Sequence, residues 1–221
     1  MKTWFNDPDD KSWELPEQFL SEDVRLCEAV IERFILKYTN QGERVLDPFA
    51  GFGTVLVVCE RLGRQGLGFE IMQDRVEYAN SILSRGPGVM LADLRDSNLE
   101  LPPCKLCISS PPYMNRCDPE NPLDGYSTRV SSYQAYVSEL AAIYLRLGNC
   151  LAPEGRLIIQ IQNLVTEQYC TALAFDLYGA IGAGLEFVGE EVMLWDKEVY
   201  GYNHGYCLIY KAPQSEPVVA L

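Results

Sequence analysis

Three short apolar runs in this 221-residue chain each end on an acid: Arg44-Val45-Leu46-Asp47, Gly66-Leu67-Gly68-Phe69-Glu70 and Val89-Met90-Leu91-Ala92-Asp93. Runs of four or five residues are strand-sized, and helical spacing returns between them, at Thr54–Leu62 and from Asp74 to about Ser84. The alternation continues with a fourth strand at Leu106-Cys107-Ile108 and a helix from Ser132 to about Leu151. Pro153-Glu154-Gly155 then turns the chain into a strand over Arg156–Ile161, and a helix follows over Cys170–Gly184. Ahead of them, Val24, Cys27, Val30, Ile31, Phe34, Ile35 and Tyr38 give an amphipathic helix from Ser21 to about Thr39. Strand alternating with helix implies a parallel sheet covered on both faces. The fold class is therefore α/β, a doubly wound sheet. It is mostly parallel with an antiparallel C-terminal strand, because two last strands (about 190–195 and 206–211) are joined only by the tyrosine-rich link Val199–Gly205.

This length suits one well-buried domain. We divide the chain into an N-terminal arm (1–21), a domain (22–212) and a tail (213–221). Trp4, Phe5 and Trp13 are expected to pin the arm onto the domain. No run of 18 apolar residues exists, so no membrane span is expected, and the N-terminus lacks the apolar core of a signal peptide. A cytoplasmic location is the default expectation. The formal charge of −13 disfavours extensive phosphate contact and points to a solvated acidic surface, few phosphates touched, or a basic partner. Among the eight cysteines, Cys104, Cys107 and Cys117 have some of the spacing of a zinc site. Cys107 lies within an apolar strand, however, and buried thiols are common, so reduced structural cysteines and no metal are expected.

In a doubly wound sheet, ligands bind beyond the carboxyl ends of the strands at the switch point, which gathers Asp47, Glu70 and Asp93 around one crevice. A pyrophosphate would be repelled there, and no G-x-G-x-x-G is present, so a cationic ligand suits the site better. Gly51 and Gly53 allow close backbone approach to that ligand. Glu70 is placed for two ribose hydroxyls and Asp93 for an adenine amino group. About sixty residues further on, the fourth strand ends at Ser109-Ser110-Pro111-Pro112-Tyr113. Two successive prolines stop both strand pairing and helix, so this turn is irregular. A loop of roughly twenty residues follows, long enough to carry function.

Together these segments resemble the two signatures of DNA amino-methyltransferases, the cytosine-N4 and adenine-N6 enzymes of DNA methylation and restriction-modification. The resemblance spans roughly residues 15–212 and weakens toward the end. It implies a Rossmann-like methyltransferase sheet and S-adenosyl-L-methionine as cofactor. The first signature falls on Asp47, Pro48, Phe49, Gly51, Gly53 and Thr54, and the ribose acid on Glu70. Phe52 departs from a frequent serine and is expected to narrow the methionine pocket. The second signature falls on Ser110, Pro111, Pro112 and Tyr113, the implied catalytic residues. An aromatic amine is a poor nucleophile, and acceptors on both its hydrogens let the nitrogen aim its lone pair at a methyl group. Ser110 Oγ and the Pro111 carbonyl are the candidate acceptors, and Tyr113 would stack on a base flipped out of DNA.

The serine at the head of the turn resembles the cytosine-N4 enzymes more than the adenine-N6 enzymes. A separate target-recognition region is missing. The loop Met114–Ser131, with Arg116, Tyr126 and Arg129, is the candidate substitute. Tyr200, Tyr202, Asn203 and His204 are candidates for the far wall of the base pocket, with His204 more plausibly structural than a base. The same chemistry on RNA, on a protein glutamine, or as a subunit needing a protein partner for target recognition are the alternatives.

Overall fold

The computed structural model describes residues 3–8, 11–125, 131–199 and 201–213, with the backbone alone at Lys197. Tyr126, Arg129 and Tyr200 lie outside the described residues, as does all but the first position of the tail.

The strands are β1 (Trp4–Asn6), β2 (Arg44–Asp47), β3 (Gln65–Glu70), β4 (Val89–Leu91), β5 (Cys104–Ser109), β6 (Leu151–Ile161), β7 (Leu164–Val165), β8 (Cys170–Thr171), β9 (Glu186–Val199) and β10 (Tyr202–Lys211). The helices are α1 (Glu28–Tyr38), α2 (Thr54–Leu62), α3 (Gln73–Ile82), α4 (Tyr133–Gly148) and α5 (Leu173–Ile181). Eight strands form one sheet in the order β1-β9-β10-β6-β5-β2-β3-β4. Every described pairing in it is parallel except those of β10, which runs antiparallel to both β6 and β9. The chain leaves β2 for β3 and β4, then returns to place β5 on the other side of β2. That reversal opens a crevice between the carboxyl ends of β2 and β5.

Alternate residues along the central strands enter different cores, as a strand's two-residue period requires. Val45, Leu106, Ile108 and Ile158 pack with α1, α2 and α3. Leu46, Cys107, Leu157 and Ile159 pack with α4 and α5 on the opposite face. Both faces are thereby covered, and the central strands read as continuous apolar runs.

Several boundaries differ from expectation. The first helix starts at Glu28 rather than near Ser21, after a 3-10 turn at Glu17–Glu22. The Asp23 carboxylate accepts from the Arg25 backbone N–H (3.4 Å) and Nε (2.8 Å), while Arg25 also donates to the Trp13 carbonyl (3.0 Å). Such local side-chain bonds compete with helix and leave Val24 out in solvent. Pro153-Glu154-Gly155 is an irregularity within β6 rather than a turn before it. Glu154 takes a left-handed φ of 59°, and the β5–β6 register shifts there between Cys104 and Leu106. The helix expected over Cys170–Gly184 begins at Leu173, because Cys170 and Thr171 pair with Leu164 and Val165 as a small hairpin. The last two strands are longer than expected, reaching Val199 on one side and starting at Tyr202 on the other, and they pair antiparallel.

The arm contributes a strand. Trp4–Asn6 pairs parallel with Val192–Leu194 at the sheet edge. Phe5 packs edge-on against Phe34 (6.4 Å between centroids), and Trp13 lies under the Arg25 guanidinium (4.6 Å). Trp4 pairs with Val192 while much of its surface stays exposed.

Candidate active site

A cavity of about 820 Å³ lies at the reversal, between the carboxyl ends of the parallel strands. Asp47, Pro48, Phe49, Gly51, Thr54, Glu70, Asp93, Ser110, Pro111, Pro112 and Tyr113 all line it. Both motifs thus share one space. Gly53, expected on the wall, is not. It caps α2 with φ +84°, and a Cβ there would sit 3.1 Å from Ala79 Cβ. Its hydrogen side chain allows the close approach of α2 to α3.

The glycine turn is built by main-chain bonds. Ala50 N donates to the Phe69 carbonyl (2.9 Å) and Gly53 N to the Ala50 carbonyl (2.8 Å). Gly51, at φ +50°, turns its N–H onto Glu70 Oε2 (3.0 Å). Glu70 Oε1 accepts from Ile71 N (2.8 Å) and Met72 N (2.9 Å), which helps start α3. A carboxylate has about four acceptor sites, so one remains after these three bonds. Asp47 is buried and accepts one described bond, from Phe49 N (3.1 Å). Burial pushes its carboxyl up to about 7; the Phe49 N–H works against this and the Glu70 charge adds to it.

Asp93 is engaged differently. Arg95 holds it through its backbone N–H (2.9 Å), Nε (3.0 Å) and an Nη (2.7 Å). Burial raises the Asp93 carboxyl, but these bonds and the Arg95 charge outweigh it and bring it below the ordinary carboxylate range. The same guanidinium pairs with Asp124 and, at 3.4 Å, with Glu139 of α4. Phe52 packs against Phe19 (5.0 Å) and Tyr78 (5.9 Å), so its ring anchors the arm over the turn.

At the end of β5, Ser109 Oγ and Tyr144 Oη lie 3.0 Å apart in the core. Tyr136 Oη, from α4, donates to the Pro112 carbonyl (2.7 Å), while the Pro111 carbonyl accepts no bond from the described residues. Ser110 Oγ donates to Tyr113 Oη (3.5 Å), and Tyr113 Oη donates to Gln160 Oε1 (3.1 Å).

Gln160, Gln162, Trp195 and Val199 also line the cavity, with Asp7 and Ser21 of the arm and residues 22–27 after it. None was named from the sequence as a site residue. The two glutamines gave a signal, as polar residues breaking an apolar central strand at its carboxyl end. Trp195 and the arm gave none, since the β1–β9 pairing and the Trp195 Nε1 bond to Asp7 (2.9 Å) join residues 188 positions apart. Tyr202, Asn203 and His204 do not line the cavity. His204 instead lies between Tyr202 and Tyr206 on β10, with Nε2 3.3 Å from Tyr206 Oη. Arg116 is drawn away to Asp176 (3.7 Å) and the Tyr133 ring. Among the described residues, no three His, Cys, Asp or Glu side chains group so as to hold a metal. Cys104 and Cys107 are buried in β5 and Cys117 is at the surface.

The model of the family described as DNA methylase, the N6/N4 methyltransferases, matches residues 14–81. The chain is 46% identical, over 56 residues, to the Type II methyltransferase M.HpaI of Haemophilus parainfluenzae, covering 25% of this chain and 18% of that protein. Against the Type II methyltransferase M.BamHI of Bacillus amyloliquefaciens the identity is 50% over 46 residues, 21% of this chain and 11% of that one. Against the DNA adenine methyltransferase YhdJ of Escherichia coli it is 32% over 71 residues, 29% of this chain and 24% of that one. The matches therefore span only a quarter or less of these relatives' length. Over most of the chain the likeness is one of fold. A TehB-like SAM-dependent methyltransferase from Corynebacterium glutamicum superposes with a TM-score of 0.56 at 14% identity, over 88% of this chain and 92% of that one. An rRNA methylase from Streptococcus thermophilus gives 0.55 at 12%, over 86% and 99%. The architecture is that of the α/β methyltransferases. No helix of the described residues is long and apolar enough to cross a membrane.

Proposed function

We propose that this chain transfers a methyl group from S-adenosylmethionine to an exocyclic amino group of a DNA base, cytosine N4 ahead of adenine N6. The observation that carries the reading is the single cavity whose wall holds the glycine turn and Glu70 at one end and Ser110–Tyr113 at the other. Its volume, about 820 Å³, is in the range of small-molecule sites. The residues present fit the cofactor. Lys11, Arg25, Arg75 and Arg95, the cations on the wall, are each paired with a carboxylate. Asp47 and Glu70 have no such partner among the described residues, which suits a positively charged ligand.

Glu70 would hold a ribose hydroxyl through its remaining acceptor site, and Asp47 would face the positive charge. Asp93 would reach an adenine amino group once it shares its bonds with Arg95. When bound, S-adenosylmethionine supplies an electrophilic methyl group on a cationic sulfur. Ser110 Oγ and the Pro111 carbonyl would accept hydrogen bonds from both N–H groups of the target amine, pyramidalising the nitrogen and directing its lone pair. Transfer leaves a neutral thioether, and the surplus amine proton passes to solvent. Tyr136 fixes the diproline by holding the neighbouring carbonyl, and Tyr113 offers a ring face to a flipped base. Positioning of this kind carries the catalysis, with no covalent intermediate at a side chain.

The serine opening the turn supports cytosine N4. The charge of −13 supports few phosphate contacts or a basic protein partner that brings the target. The test is incubation of the purified protein with methyl-labelled S-adenosylmethionine and separate duplex DNA, single-stranded DNA and RNA, with the labelled nucleoside identified by mass spectrometry. N4-methylcytosine in DNA is the expected product. N6-methyladenine would correct the base, and label confined to RNA would overturn the DNA assignment. Cofactor binding with no label in any pool would contradict nucleic acid as the unaided substrate.

A further inference from the structure

A serine hydroxyl at the head of this turn poses a problem that its neighbours solve. Serine oxygen has two lone pairs but also carries a hydrogen. To accept from a substrate amine it must send that hydrogen elsewhere, or donor meets donor. Ser110 Oγ lies 3.5 Å from Tyr113 Oη, and Tyr113 Oη lies 3.1 Å from Gln160 Oε1. A carboxamide oxygen only accepts. Tyr113 must therefore give its proton to Gln160, which leaves the tyrosine oxygen as acceptor for the Ser110 hydrogen. The Ser110 lone pairs are then what the cavity receives.

We infer that Gln160, through Tyr113, sets the polarity of the Ser110 hydroxyl so that it accepts a hydrogen from the substrate amine. The inference rests on the proposed amine-methyl transfer and names a positioning residue for it. Gln160 is suited to the task. It sits near the carboxyl end of β6, is 6% exposed, and lies in register with Cys207 of β10, one residue past the last β5 pairing at Ile159. Gly205, opposite, brings β10 close: a Cβ there would stand 3.4 Å from Gln160 Nε2 and 2.7 Å from the Trp195 ring. The amide is thus confined on the side away from Tyr113. The link between Ser110 and Tyr113 is the long one of the relay, of the kind that shortens when a substrate closes the site. An acidic or amide side chain in place of Ser110 would need no such relay, since its oxygen accepts without a hydrogen to dispose of.

The relay is tested by kinetics and by a readout that needs no turnover. Gln160→Leu should lower kcat about tenfold, the worth of one hydrogen bond, with the KM for S-adenosylmethionine unchanged, which also shows an intact fold. Tyr113→Phe should do the same. The double variant should lose about tenfold rather than a hundredfold, because the two act as one chain. Gln160→Glu keeps an acceptor opposite the tyrosine and should retain most of the rate. In protein with isotope-labelled tyrosine rings, the Tyr113 resonance, assigned by its loss in Tyr113→Phe, should move in Gln160→Leu without any substrate. Multiplicative losses in the double variant, an effect on cofactor KM alone, or an unmoved resonance would each overturn the relay. If the wild-type protein methylates no amine, the proposed function falls, and the resonance still decides whether Gln160 holds Tyr113.

Discussion

The two ends of the cavity are held by different means. At the ends of β2 and β3, main chain grips side chain: Glu70 takes three backbone N–H groups and Asp47 takes one, from partners at most 19 positions away. At the ends of β5 and β6, side chains grip one another and the turn. Tyr136 reaches Pro112 across 24 positions, Tyr144 reaches Ser109 across 35, and Gln160 reaches Tyr113 across 47. The first arrangement forms wherever one βαβ unit forms. The second exists only once α4 and β6 have docked. A binding site can thus be local while the catalytic site beside it depends on the whole sheet.

Substitutions at each end sharpen that contrast. Tyr113→Ala removes the ring and one step of the relay, and should cut transfer about a hundredfold, the scale of a lost base stack, in a labelled-methyl assay. Cofactor affinity should stay nearly intact. Glu70→Ala strips an acceptor from Gly51, Ile71 and Met72 and should weaken S-adenosylmethionine binding by about 1.5–3 kcal/mol in a calorimetric titration. Unchanged affinity would mean that the cofactor lies elsewhere. Gly53→Ala forces a left-handed φ on a residue with a Cβ and crowds Ala79, and should cost about 1–2 kcal/mol in denaturant unfolding. An unaltered midpoint would remove the argument that this glycine serves the α2–α3 contact.

The smallest effect concerns pH. Burial holds the Asp47 carboxyl up at about 7, whereas an unfolded aspartate titrates near about 3.9. Between those values the folded state carries the extra proton, so this group's contribution to stability is present below about 4 and is lost as pH rises through about 7. A cationic ligand favours the carboxylate and reverses the trend for binding. Cofactor affinity should rise severalfold between about pH 6 and 8, and Asp47→Asn should flatten the dependence. Affinity independent of pH in the wild type would contradict the placement of Asp47 beside the positive charge.

The same contrast explains what the sequence disclosed. Strand ends at Asp47 and Glu70, the α2 boundaries and the Ser-Pro-Pro-Tyr turn are local features, fixed by short-range pattern and turn chemistry, and all were legible. The packing of Gly53 against Ala79 was not legible, because it depends on how α2 meets α3. Trp195, Val199 and the arm reach the wall only through the β1–β9–β10 edge, whose register no local pattern encodes. Tyr202 and His204 looked like pocket residues because they are aromatic and close in sequence to the wall, yet β10 carries them past it.

The division of labour between the two ends is tested most directly by transfer rate measured against S-adenosylmethionine concentration, for Glu70→Ala and Tyr113→Ala side by side. The structure predicts that Glu70→Ala recovers most of its rate at saturating cofactor, while Tyr113→Ala remains slow at every concentration with an unshifted half-saturation point. A half-saturation point displaced equally in both variants would contradict the account, because the cofactor would then depend on both ends of the cavity alike.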